Sequence, residues 1–288
     1  MNKYLNALVY NKRIPGEIAK PDSYKCFLGA WCYKVLSSKD KWLGIEAIIE
    51  LPEFIPDENR FSMIQDNIYD KKLKRYDDTP SIYVGLCSDY ENDVGFAWQR
   101  GIVDGVVTDD KITFRPFWRY IYEENGEEKN VYQGTNLNLT QYYYFPGDRV
   151  KLSLISIKNN YLKLIVELIS STTIKKYLDI RKKLDKTPMD FMTEEFLAPG
   201  VGIRPSEVKR VNAIDQYSNE GKPTLATNAK VKECVWEDVY LFREIDGAIR
   251  KVPYTKDRYI KMLCPKEDAF IIKEIGNKEI VVINPNRN

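Results

Sequence analysis

The sequence predicts an all-β protein, a sandwich or barrel of short antiparallel strands with one short helix. Three observations point there. Apolar and polar residues alternate with period two in many short runs. Gly, Pro, Asn and Asp punctuate those runs at short intervals, as turn residues do. Helical spacing surfaces in only one segment, Ile174–Leu184.

Taken in chain order, the first 24 residues read as an arm, because Pro15-Gly16 and Pro21 interrupt any regular element. Strands are expected at Lys25–Leu36, Leu43–Leu51, Ile82–Leu86, Gly95–Val103, Thr113–Tyr122, Arg149–Ser156 and Tyr161–Ser170. Further strands are expected at Val208–Tyr217, Ala229–Arg243, Tyr259–Leu263, Ala269–Ile275 and Glu279–Ile283. Arg149, Lys151 and Ser153 oppose Val150, Leu152 and Leu154, the pattern of a half-buried strand. Pro146-Gly147-Asp148 is a turn signal before that strand, and Gly276-Asn277 reads as a hairpin turn. Lys71–Asp78 and the acidic Glu123–Glu128 read as solvated loops. Ile174, Tyr177, Leu178, Arg181 and Leu184 fall on one helical face, a short amphipathic helix with its lysines in water. The organisation expected is an arm (1–24), a sandwich (25–243) and C-terminal strands (244–288) that complete it or extend it.

Composition narrows the chemistry. The chain has 288 residues, 44 basic and 42 acidic side chains, and a net charge of +2, a balance that calls for no nucleic-acid partner. It has no histidine, so neither a Ser-His-Asp nor a Cys-His nucleophile can be assembled, and histidine-ligated metal sites are excluded too. No cofactor or metal is expected: Asp89, Glu91, Asn92 and Asp93 are rich in oxygen but lack an EF-hand pattern, and read as a solvated turn. The five cysteines (26, 32, 87, 234 and 264) are widely spaced and read as small buried hydrophobes. Met1–Val9 is too short and interrupted for a signal-peptide core, and no long apolar run follows. The expectation is therefore a cytoplasmic protein without a membrane partner.

Three segments hold candidate site residues. In Ile82–Gly101, Ala97, Gln99 and Gly101 share one strand face, so small neighbours leave room above the glutamine for a ligand. In Thr113–Tyr122, Arg115, Phe117 and Arg119 alternate with Phe114, Pro116 and Trp118. Aromatics beside arginines suit stacking of a sugar or peptide, and suit a filled core with Arg119 reaching outward as well. In Ala229–Arg243, Glu233 and Glu237 share a face with Val231, Val235 and Val239. Such a setting would raise a carboxyl pKa unless a basic partner answers it.

The succession of Gly44–Pro52, Tyr83-Val84-Gly85-Leu86, Gln99-Arg100-Gly101, the aromatic strand Phe114–Tyr122, Pro146-Gly147-Asp148 and Val235-Trp236-Glu237-Asp238 resembles the eqolisins, or glutamic peptidases. The resemblance spans roughly residues 25 to 243. It implies a concanavalin A-like jelly-roll β-sandwich of two antiparallel sheets, the fold shared with lectins and glucanases. It also implies a catalytic pair, a glutamine in one strand and a glutamate just before a tryptophan in a later one. Gln99 matches the glutamine. Aligned on Trp236, the glutamate's place is held by Val235, and Glu237 or Glu233 would have to substitute from about 7 Å along the strand.

Two functions are therefore expected. One is a binding module that recognises a carbohydrate or peptide on the concave face around Gln99, Arg115, Phe117 and Arg119. The other is an eqolisin-like endopeptidase using Gln99 with Glu237 or Glu233. The valine at position 235 favours binding.

Overall fold

The computed structural model describes residues 7–66 and 71–286. Its strands are β1 (Ala30–Ser37), β2 (Trp42–Glu50), β3 (Phe54–Ile55), β4 (Phe61–Asp66), β5 (Lys71–Tyr76), β6 (Asp78–Cys87), β7 (Glu91–Gln99), β8 (Ile102–Val103), β9 (Val106–Val107), β10 (Thr113–Glu124) and β11 (Glu127–Gly134). Then follow β12 (Arg149–Lys158), β13 (Tyr161–Ser170), the helix α1 (Lys175–Arg181), β14 (Phe191–Met192), β15 (Phe196–Leu197), β16 (Glu207–Gln216), β17 (Lys230–Ile245), β18 (Ala248–Pro253), β19 (Tyr259–Cys264), β20 (Phe270–Ile275) and β21 (Lys278–Ile283).

Two antiparallel sheets form a sandwich. One has seven strands in the order β11-β10-β7-β6-β16-β1-β19. The other has ten, along β14-β13-β12-β2-β17-β21-β20, with β15, β18 and β3 on its flanks. Period-two alternation turns one side of each strand into the space between the sheets. From the seven-stranded sheet come Val84 and Leu86 of β6, Val94, Phe96 and Trp98 of β7, and Phe114 of β10; from the other come Ile45, Ala47 and Ile49 of β2, Leu152 and Leu154 of β12, and Trp236 of β17. The strands after Arg243 belong to both sheets, β19 pairing with β1 and β21 with β17.

The core carries polar cross-ties as well. Arg210 of β16 reaches across to Glu279 of β21 at 2.5 Å, and Tyr33 donates its hydroxyl to the same carboxylate at 2.9 Å. Trp236 Nε1 donates to Asn212 Oδ1 at 2.7 Å. Lys261 pairs with the same carboxylate at 2.5 Å, so Glu279 is answered on several sides, whereas losing Glu279 would leave the Arg210 guanidinium buried without a carboxylate, a costly state.

Four expectations change. Lys71–Asp78 is no loop: Lys71–Tyr76 pairs with Phe61–Asp66 as a hairpin, and Asp78 starts β6. Two isolated strands do not need an apolar face, which is why their pattern is polar. Glu123–Glu128 is the tip of the β10–β11 hairpin, turning on Asn125 and Gly126 at positive φ (55° and 80°). The helix is shorter than Ile174–Leu184, spanning Lys175–Arg181. The cysteines are not all small hydrophobes either, since Cys26 and Cys264 form a disulfide that ties the N-terminal segment to the edge strand β19; Cys32, Cys87 and Cys234 are free. No described helix is long and apolar enough to cross a membrane.

Candidate ligand-binding groove

The outer face of the seven-stranded sheet bears a trough of about 880 Å³, toward the upper end of the range for ligand sites. Register pairs determine its lining. Lys209, Asp93 and Arg119 form one row, in register with Gly85 of β6 between the first two. Val211, Tyr83, Gly95 and Phe117 form the next, and Ala213, Ser81, Ala97 and Arg115 the one after. Side chains in register point to the same face, so the middle of the trough is floored by small residues, Cys32 included. Gly95 has to be glycine: a Cβ there would lie 2.2 Å from the Ile82 carbonyl oxygen and 2.5 Å from Tyr83 Cα. Without one, the Tyr83 ring can lie edge-on to Phe117, their centroids 6.3 Å apart. Tyr132 stacks on Phe117 at 5.5 Å and stays 57% exposed, an aromatic face open to the trough.

One end of the trough is electrically closed. Lys209 Nζ is bound to Glu91 and lies 2.7 Å from Asp93 Oδ1, while Arg119 Nη1 reaches Asp93 Oδ2 at 3.5 Å and its Nε donates to Asn130 at 3.0 Å. Burial works against the Lys209 ammonium, but the two carboxylates hold it charged, well above the usual lysine range. Burial pushes Asp93 up, with Lys209 opposing.

The other end is not closed. Burial pushes the Asp215 carboxyl up to about 6, with Glu220 and Asp93 adding repulsion and the Ser81 hydroxyl and Lys111 drawing it back. No cation lies within ion-pair distance of Asp215 among the described residues. Burial lowers Lys111 to about 8, helped by Arg100 and Arg75, and among the described residues its ammonium donates only to Thr79 Oγ1, at 3.1 Å. Overhead, the Arg75 guanidinium from the β4–β5 hairpin lies over the Tyr217 ring at 3.5 Å, its buried Nε without a partner.

Most of the expected site residues come together here. Gln99 lines this face beside Ala97, its side chain directed into the trough, and Phe117 and Arg119 line it too. Arg115 shares the face, but its guanidinium is bound to the Thr135 carbonyl. The two glutamates do not join them. Trp236 and Cys234 of β17 fill the core, so Glu237 points out of the ten-stranded sheet, on the far side of the sandwich from Gln99. There it pairs with Arg149 at 2.5 Å and Lys278 at 3.5 Å. Glu233 is exposed on that same far side, next to a second hollow with Glu50 and Glu53. A register shift between Val231 and Cys234 puts Val231 in the core, so it does not share their face. The structure therefore does not bring Gln99 together with Glu233 or Glu237.

Asp215, Lys111 and Lys209 are groove residues that the sequence reading did not single out, and Asp93, expected in a solvated turn, is instead a buried residue of β7. The signal was there in β16: Lys209 and Asp215 bracket Val211 and Ala213 on one face of a strand whose other face is core. The remaining chemistry is limited. Cys32, on the floor, is pushed up to about 12 by burial and Asp215, so it is no nucleophile near neutrality. The expected solvated turn is mostly strand: Glu91, Asn92 and Asp93 open β7, with Asn92 and Asp93 buried, and only Asp89 lies before it, paired with Arg204 at 2.8 Å, while Glu91 is bound to Lys209.

No family model and no curated protein matches the chain. Among solved structures it is similar to scytalido-glutamic peptidase with a peptide-based transition state analog, at 12% identity and a TM-score of 0.48, covering 88% of this chain and 97% of that one. It is also similar to SCP-B, a member of the eqolisin family of peptidases, in a complex with the tripeptide Ala-Ile-His, at 9% identity and 0.42, covering 88% and 97%. A β-porphyranase from the human gut bacterium Bacteroides plebeius follows at 13% and 0.22, covering 83% and 65%.

Proposed function

We propose that this protein is a binding module whose groove on the seven-stranded sheet receives an extended peptide. The supporting observation is the trough itself: a floor of small residues flanked by charged groups of both signs and an exposed tyrosine face. From β11 to β1 the trough crosses five strand spacings, about 24 Å, the length of about seven extended residues. A peptide offers amides, apolar side chains and ionised groups in alternation, and so answers both signs of charge. A neutral glycan would cover Asp215 and Lys111 with hydroxyls alone, a poor exchange for lost hydration.

The test is equilibrium capture of randomised heptapeptides at neutral pH, set beside neutral oligosaccharides, with Ala97→Trp to fill the floor. Peptide capture that Ala97→Trp abolishes is the expected result. Glycan capture without peptide capture, or capture indifferent to Ala97→Trp, would reject the proposal. Sampling the same mixtures for cleavage from pH 3 to 8 separates binding from turnover: cleavage lost in Gln99→Ala would make the groove an enzyme site.

A further inference from the structure

Resting on the peptide-binding reading, we infer that the Thr79 end of the groove is a carboxylate subsite, in which Lys111 and Arg75 hold a carboxylate of the bound peptide and Asp215 accepts a neighbouring N–H. Three cations gather there. Arg75 overhangs on β5, and Arg100 and Lys111 come from the segment after β7. Asp215 and Glu220 are the acids facing them. Among the described residues neither Lys111 nor Arg75 has an acidic partner: Lys111 donates to one hydroxyl, and Arg75 has a buried Nε with none. At the Lys209 end the ammonium and the Arg119 guanidinium both have carboxylate partners within the chain, and the contrast with Lys111 and Arg75 is what marks this end as waiting for an external anion.

The presence of Asp215 narrows the anion. A dianionic phosphate would be repelled by an unpaired carboxylate on the same floor. A carboxylate is monoanionic and planar, and matches the guanidinium fork of Arg75. In a peptide it comes with an amide N–H a few bonds away, a donor for Asp215 beside the Ser81 hydroxyl. Two sources supply this chemistry, the C-terminal carboxylate and an Asp or Glu side chain.

The test uses the full chain and pools of randomised heptapeptides in four forms: free acid, C-terminal amide, free acid without Asp or Glu, and amide without either. Bound fractions are read by mass spectrometry for the unaltered protein, Lys111→Met and Arg75→Met, with circular dichroism to show that the variants fold. If the pool lacking every carboxylate binds tenfold or more weakly than the best acid pool, and the gap shrinks to under threefold in Lys111→Met, the subsite stands. The amide and acidic-residue arms then tell the two sources apart. Equal binding of all four pools, or a gap unchanged in both variants, overturns the subsite while leaving the peptide groove intact. Failure of every pool to bind removes the groove reading and this inference with it. A phosphoserine pool that binds tenfold better than the acid pools would assign the site to phosphate and overturn the carboxylate.

Discussion

The Asp215→Asn substitution tests the electrostatics of the groove without needing a ligand. In the folded chain burial lifts this carboxyl from 3.8 to about 6, so the folded state holds the proton more tightly than the unfolded state does. The sign follows from linkage. Below pH 3.8 both states are protonated and there is no penalty; between 3.8 and 6 the unfolded chain ionises first and stability falls; above 6 the penalty is complete, at about 3 kcal/mol. At pH 4 only a small part of that has been incurred, so the difference between pH 4 and 7.5 is about 2 kcal/mol. An asparagine cannot ionise and should lose this dependence while filling the same volume. Urea unfolding of both proteins at the two pH values, with the disulfide intact, measures the effect. The midpoint of Asp215→Asn relative to the native protein should move up by about 1 M between pH 4 and 7.5. Taking the difference cancels the many other carboxylates, provided those far from Asp215 act independently. A constant offset at both pH values would show that Asp215 is well solvated or paired in solution, and would remove the picture of an unanswered charge in the trough.

Three further outcomes are expected. Asp148 is fully buried, accepts the Phe145 and Thr172 backbone N–H groups at 2.7 Å each, and pairs with Arg181 at 2.5 Å; Asp148→Ala should cost about 3–5 kcal/mol by chemical denaturation, and a loss under 1 would refute its role as the anchor of the turn before β12. Glu237→Gln, on the far sheet, should leave peptide capture unchanged and cost under about 1 kcal/mol, whereas Gln99→Ala should weaken capture several-fold; the reverse ranking would contradict the placement of both residues. Reducing Cys26–Cys264, which links positions 238 residues apart, should lower stability by about 2–5 kcal/mol, read as a drop in melting temperature with a thiol reductant against a Cys26→Ser control that no longer responds to it.

Alternation made the fold class legible. Arg149–Leu154 and Gly95–Gln99 could be placed on their strand faces from sequence, because a half-buried strand repeats every two residues. Membership of one sheet or the other was not legible, since it depends on partners far along the chain. That is why Gln99 and Glu237, each on the outward face of its own strand, looked compatible and lie on opposite sides of the sandwich. The β4–β5 hairpin escaped notice for the opposite reason. It stands over a groove and outside the core, so Lys71–Tyr76 carries no apolar stripe. Asp215 sat in a strand that was recognised, but its isolation depends on the three-dimensional neighbours Ser81, Lys111 and Glu220. The Cys26–Cys264 pairing likewise joins residues whose proximity only the folded sheet creates.

That bridge also governs how the chain would come apart under proteolysis. Its two sulfurs sit near opposite ends of the polypeptide, so a single cut anywhere between them yields two pieces still covalently joined. Nicked molecules would run at full mass on a gel until a reductant is added, and only then release their fragments.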